Sequence, residues 1–164
     1  MKILILGAGQ VGSTAAYHLA REESNEVTII DSSPSVLREL QDRLDVRTVQ
    51  GHAASPGALE RAGAAEADMV IALTNSDEVN MIACQVAYTL FGTQTKIARV
   101  RSAEYMNTPG LFGADRVPVD LCISPEQLVT RYIEQLIRYP GAFQVLDFAD
   151  GKVRLVGVRA HRDG

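Results

Sequence analysis

The chain has 164 residues, 46% of them hydrophobic and 22% charged, enough for one full core plus a fragment but not for a second large domain. Sixteen Lys and Arg against twenty Asp and Glu leave a net charge of −4, and the scattered basic residues argue against a nucleic-acid or membrane-surface footprint. No run approaches the roughly 18 apolar residues of a membrane span, and Cys84 and Cys122 lie in apolar stretches without metal-ligand spacing, so reduced buried thiols and a cytoplasmic address are expected.

In chain order, β-rich runs at 2–6, 26–31, 46–50, 68–73, 95–100 and 119–123 alternate with helical patterns near 10–22, 34–44, 56–62, 76–91 and 102–107. That alternation predicts an α/β fold, a Rossmann-like doubly wound parallel sheet of about six strands. The first strand runs into Gly7-Ala8-Gly9-Gln10-Val11-Gly12 and then a helix. Gly7 suits a tight turn, Gly9 leaves room for a pyrophosphate against the backbone, and Gly12 lets the helix approach the strand. The helix N-terminus turns free N–H groups and a positive dipole end toward phosphate. The second strand ends in Asp31, nineteen residues beyond Gly12, where a carboxylate can accept hydrogen bonds from ribose hydroxyls. Asp31 would repel a 2′-phosphate, and Ser32 and Ser33 supply no Arg to receive one. NAD(H) is favoured over NADP(H), and any adenosine nucleotide with a free ribose, ATP and ADP included, also fits.

Ligands in such sheets sit beyond the carboxyl ends of the strands, so the remaining strand ends belong to the same candidate site. After the third strand, Gly51 either lets an adenine lie close or is a plain turn glycine, and His52 lies near the expected ligand. After the fourth come Leu73, Thr74 and Asn75. Thr74 can contact ribose or phosphate, while Asn75 is also the expected cap of the next helix, with Glu78 three residues on. Val79, Ile82, Ala83, Val86 and Leu90 give that helix one apolar stripe, and Gly92 stops it. At the fifth strand Arg99 and Arg101 stand two apart and so point the same way, suited to phosphate, with a surface ion pair as the alternative for Arg101.

Ser124-Pro125-Glu126-Gln127 is a helix start with a capping box, and the helix should reach Tyr139. Its apolar residues, Leu128, Val129, Tyr132, Ile133, Leu136 and Ile137, cover more than one sheet contact needs, so part of it is expected to pack on a partner. Phe143 to Phe148, Asp150-Gly151 and Val153 to Val158 read as a hairpin, too little to stand alone. The expected division is therefore a nucleotide-binding domain over 1–140 and the incomplete beginning of a smaller C-terminal subdomain over 141–164. His18, His52 and His161 do not form a site, and the Walker A loop, zinc helix, nucleophile elbow and Tyr-x-x-x-Lys pair are all absent. The nucleotide is thus read as a signal, not a co-substrate; the alternative is an NAD-dependent oxidoreductase fragment lacking its catalytic domain.

Five segments resemble the RCK (KTN) domain family of potassium-transport regulators: Lys2 to Gly12, Val27 to Asp31, Gly51 to Pro56, Ala67 to Met81, and Lys96 to Arg101. The Leu-Thr-x-x-Asp-Glu-x-Asn segment starting at Leu73 is the most specific, and the resemblance spans residues 1–140. It implies a cytoplasmic Rossmann domain that binds NAD(H) or adenine nucleotides and passes their binding to a potassium-translocating membrane subunit, and so is peripheral to the membrane. The family's ligand positions fall on Gly7, Ala8, Gly9, Gln10, Val11, Asp31, Leu73, Thr74 and Arg99. The resemblance further implies dimers and rings of dimers, with the helix after the sixth strand crossing to a neighbour, and a regulatory C-terminal subdomain opened by the hairpin. Where many relatives carry Asp after the glycine, this chain has His52, which bears on ligand choice.

Overall fold

In a computed structural model of the chain, residues 1–148 and 152–159 are described. They divide into two compact units, Met1–Ile123 and the segment from Ser124 onward. The expected hairpin turn, Asp150-Gly151, and His161 lie outside the described residues.

The first unit alternates strand and helix: β1 (Lys2–Leu6), α1 (Gln10–Leu19), β2 (Glu26–Asp31), α2 (Pro34–Arg43), β3 (Arg47–Gln50), α3 (Pro56–Arg61), β4 (Met69–Ala72), α4 (Asp77–Phe91), β5 (Thr95–Arg99), α5 (Ala103–Asn107) and β6 (Leu121–Ile123). All six strands are parallel, in the order β3-β2-β1-β4-β5-β6. The doubly wound sheet expected from the sequence is therefore present. The chain reverses its direction of progress between β1 and β4, and a crevice opens at such a switch point, beyond the carboxyl ends of the strands.

Strand alternation sorts the core onto the two faces. Leu4 and Leu6 join Ile30, Leu59, Val70, Ala83 and Cys84 on one side, whereas Ile3 and Ile5 join Val27, Ile29, Leu37, Leu40 and Ile71 on the other. Each central strand is thus apolar on both faces, as a sheet covered by helices on both sides requires. The buried Lys96 on β5 is satisfied by the Asp120 carboxylate at 2.9 Å and by the carbonyls of Thr93 and Gln94 at 3.3 and 2.8 Å.

One local expectation is adjusted. The N-cap of α4 is Ser76, not Asn75: the Ser76 hydroxyl accepts the Val79 N–H at 3.2 Å, three residues on, as a cap must. The 3₁₀ turn Ala64–Glu66 before β4 carries too few residues to give a periodic signal. Gly92 ends α4 with φ +67°, the left-handed conformation a C-terminal glycine supplies.

In the second unit, α6 (Pro125–Arg138) starts at Ser124, whose hydroxyl accepts the Gln127 N–H, with Pro125 at the first helical position. It is followed by an antiparallel pair, β7 (Ala142–Phe148) and β8 (Val153–Val158). Tyr132 of α6 donates to the Phe143 carbonyl at 3.1 Å, and Gln135 to Asp147 at 2.9 Å, so the helix belongs with the hairpin. Among the described residues, no helix is long and apolar enough to cross a membrane.

Candidate functional site

A cleft of about 460 Å³ opens at the carboxyl ends of β1 to β5, within the range of small-ligand sites. Ten of the residues singled out from the sequence line it: Gly7, Gly9, Gln10, Val11, Asp31, Gly51, His52, Leu73, Thr74 and Arg99. They come from five separate strand ends, gathered only by the strand order.

The glycine loop is shaped by two contacts. Gly7 has φ +98°, and a Cβ there would stand 3.0 Å from the Thr74 backbone, so the turn out of β1 runs against the end of β4 and only glycine fits. At Gly12 a Cβ would lie 1.9 Å from the Gly7 carbonyl oxygen, which places α1 directly on the loop. Gly12 therefore serves packing and does not line the cleft. Gly9 is the N-cap of α1 and brings no side chain to cap it, so the first-turn N–H groups, which have no partner within a helix, remain for a ligand. Ser13 closes the loop from behind by donating to the Ala8 carbonyl at 2.7 Å.

Ala8 is buried and outside the lining, but its N–H donates to Asp31 Oδ2 at 2.7 Å, while Asp31 Oδ1 accepts the Ser33 N–H at 2.8 Å. Asp31 thus latches the glycine loop to the end of β2. Each carboxylate oxygen keeps accepting capacity beyond that one bond, enough for ribose hydroxyls. Ser32 lines the cleft beside it, with no cation there for a 2′-phosphate. At the β3 end, His52 Nδ1 accepts the Ala54 N–H at 3.4 Å. Gly51 lines the cleft, yet its missing side chain is required on the other side, where a Cβ would stand 2.7 Å from the Ala58 Cβ of α3.

Arg101, like Ala8 and Gly12, does not line the cleft, and the fold gives its side chain another partner. The strand ends at Arg99, so two-residue alternation no longer holds beyond it, and the buried Asp77 carboxylate takes Arg101 instead. Asp77 accepts the N–H groups of Arg101 and Ser102, each at 2.8 Å, and the Arg101 Nε at 3.4 Å; Arg101 also donates to the Asn75 carbonyl. The ion-pair reading of Arg101 is the one seen. Of the two arginines, Arg99 is the one that lines the cleft. Ile30, Ala53 and Val79, inside the segments that carry the resemblance but not among the expected ligand positions, add apolar wall beside the strand ends. A second cleft, of about 390 Å³, lies at the opposite, amino ends of the strands between Lys2, Glu26, Asp45, Arg47 and Glu66, and shares none of the candidate ligand positions. Among the described residues no group of His, Cys, Asp and Glu is arranged to hold a metal ion.

An open parallel sheet with a glycine turn, an acidic residue ending β2 and a cleft at the switch point defines a dinucleotide-type α/β domain. The model of the TrkA-N domain matches residues 3–119, and the chain belongs to that family. It is 59% identical over its whole length to the Trk system potassium uptake protein TrkA of Halomonas elongata, and spans 36% of that relative. The chain therefore covers a little over a third of the curated relatives it matches. These relatives are potassium-uptake proteins by name. Among solved structures, it is similar in fold to the GsuK channel bound to NAD, with TM-score 0.71 and 19% identity over 91% of this chain and 25% of that one. It is also similar to GsuK bound to ADP, with TM-score 0.63 and 23% identity over 84% and 34%.

Proposed function

We propose that the chain is a nucleotide-sensing module that binds NAD(H), with ADP and ATP as competing ligands of the same cleft, and that passes occupancy to a potassium-translocating membrane protein. The supporting observation is the convergence of Asp31, the α1 amides and Arg99 on one cleft, which matches adenosine ribose, pyrophosphate and a further anionic group in turn. The relatives' name supplies the potassium-transport context, and GsuK, solved with NAD and with ADP, shares the fold. A ligand shifts a gate only through different affinities for its two states, so sensing requires a second element that occupancy can move.

That element is a contact between copies of the chain through α6. Its Leu128, Val129, Ile133 and Ile137 are 50–73% exposed, an apolar face of the kind that packs on a neighbour. The module then acts at the membrane as a peripheral dimer, or ring of dimers, held there by its partner. Calorimetric titration of the chain with NAD⁺, NADH, ADP and ATP tests the reading. Micromolar binding of both dinucleotide and mononucleotide at one competitive site is expected, and absence of binding by all four overturns it.

A further inference from the structure

Asn80 on α4 is fully buried, and every polar atom of its amide is engaged. Its Oδ1 accepts the Thr74 N–H at 2.9 Å and the Thr74 hydroxyl at 2.7 Å, while its Nδ2 donates to the carbonyls of Thr74 at 3.3 Å and Arg99 at 2.9 Å. The orientation of the amide follows from chemistry: carbonyl oxygens cannot donate, so the nitrogen must face them, and the oxygen must face the two donors of Thr74. One buried side chain thereby fixes the ends of β4 and β5, both of which line the cleft.

The consequence falls on Thr74. Its N–H and its hydroxyl proton are both directed at protein acceptors, Asn80 Oδ1 for both, with the Ser76 carbonyl at 3.2 Å as the hydroxyl's only other acceptor among the described residues. Its hydroxyl oxygen also accepts the Ser76 N–H at 3.3 Å, which leaves one lone pair. Toward a ligand, Thr74 can accept a hydrogen bond but has none to donate. An ionised phosphate only accepts, so Thr74 offers it nothing, whereas a sugar hydroxyl or an amide N–H is the matching group.

Thr74 also adjoins the glycine loop, its backbone 3.0 Å from where a Gly7 Cβ would be. With the pyrophosphate on the α1 amides and the adenosine ribose at Asp31, the group beyond the pyrophosphate comes to Thr74. In a dinucleotide that group is the second ribose, and in ATP it is the γ-phosphate. We propose that Asn80 is a positioning residue that fixes Thr74 as an acceptor and so biases the cleft toward a nicotinamide dinucleotide over a nucleoside triphosphate. This rests on the nucleotide reading of the cleft and deepens it.

The test is titration of the wild-type chain and of Thr74→Val, Thr74→Ser and Asn80→Ser with NADH, ATP and ADP. Thr74→Val should weaken NADH by about three- to tenfold, the span of one neutral hydrogen bond, and leave ATP and ADP within about twofold. Thr74→Ser, which keeps the hydroxyl, should restore most of the NADH affinity that Thr74→Val loses. Asn80→Ser frees the donors of Thr74 and should move the NADH-to-ATP affinity ratio toward ATP, a change in selectivity that general loosening of the fold would not produce. If Asn80→Ser does not fold, the threonine pair decides alone. An equal loss of NADH and ATP in Thr74→Val, or no loss of NADH, overturns the proposal while the nucleotide site stands. Failure of the wild-type chain to bind any of the three overturns the site itself.

Discussion

Two glycines five and two residues beyond Gly7 should respond to the same substitution in opposite ways. In Gly12→Ala the new methyl carbon would stand 1.9 Å from the Gly7 carbonyl oxygen and 3.0 Å from its carbon, both backbone atoms that cannot swing aside. Helix α1 would have to retreat by more than an ångström, at a cost of about 1–3 kcal/mol for overpacking. Alanine's better helix propensity returns at most about 1 kcal/mol. A net loss of about 1–2 kcal/mol lowers Tm by roughly 3–8 °C in a domain of this size, and nucleotide affinity falls too as the first-turn amides move. In Gly9→Ala, by contrast, nothing lies within 4 Å of the new carbon, and φ −65°, ψ −174° suits any L-residue. The lower entropy of the unfolded chain offsets alanine's poorer capping, so stability should stay within about 0.5 kcal/mol of the parent. The methyl occupies the pyrophosphate's position, however, and NADH affinity should drop about tenfold or more, as for loss of a charge-assisted contact. Thermal denaturation and calorimetry of both variants provide the assay. A Gly9→Ala chain that binds NADH like the parent, or a Gly12→Ala chain of unchanged Tm, refutes the reasoning.

Asp31→Ala removes both the ribose acceptor and the latch on the Ala8 N–H, so titration should show NADH and ADP weakened alike, by about 1–3 kcal/mol; an effect on only one of them would contradict a shared adenosine subsite. Burial pushes the Cys84 thiol from an ordinary 9.0 up to about 12 and Cys122 up to about 11. Both should resist thiol reagents at pH 8 until the chain unfolds. Because the unfolded thiols lose protons first as pH rises above 9, stability should decline from there toward pH 12, and denaturation midpoints across that range check the sign. Ile133→Glu with Leu128→Glu on the exposed α6 face should convert a dimer into a monomer in light scattering, with nucleotide affinity in the first unit retained.

How much of this was legible beforehand depended on the range of the interaction. The strand and helix order was visible because buried parallel strands are continuous apolar runs, and because Gly7, Gly92 and Pro125 punctuate them chemically. The cleft was visible through local rules as well: each strand end could be assigned once a parallel sheet was assumed. Arg101 went elsewhere because its partner, Asp77, is twenty-four residues away, and periodicity carries no information about where a strand stops. Asn80 closes the Leu-Thr-x-x-Asp-Glu-x-Asn segment, but its role is not legible there, since its four hydrogen bonds join two strand ends that only the folded sheet brings together. The capping shift from Asn75 to Ser76 is of the opposite kind, a one-residue choice between two good caps that the docking of α4 decides.

The most direct test of the account is a crystal structure of the chain grown with NADH. The account predicts the adenosine ribose on Asp31, the pyrophosphate on the amides at the start of α1 and the second ribose against Thr74. Density for the ligand in the cleft between Lys2, Glu26, Arg47 and Glu66, or NADH reversed with its nicotinamide ribose on Asp31, would contradict it.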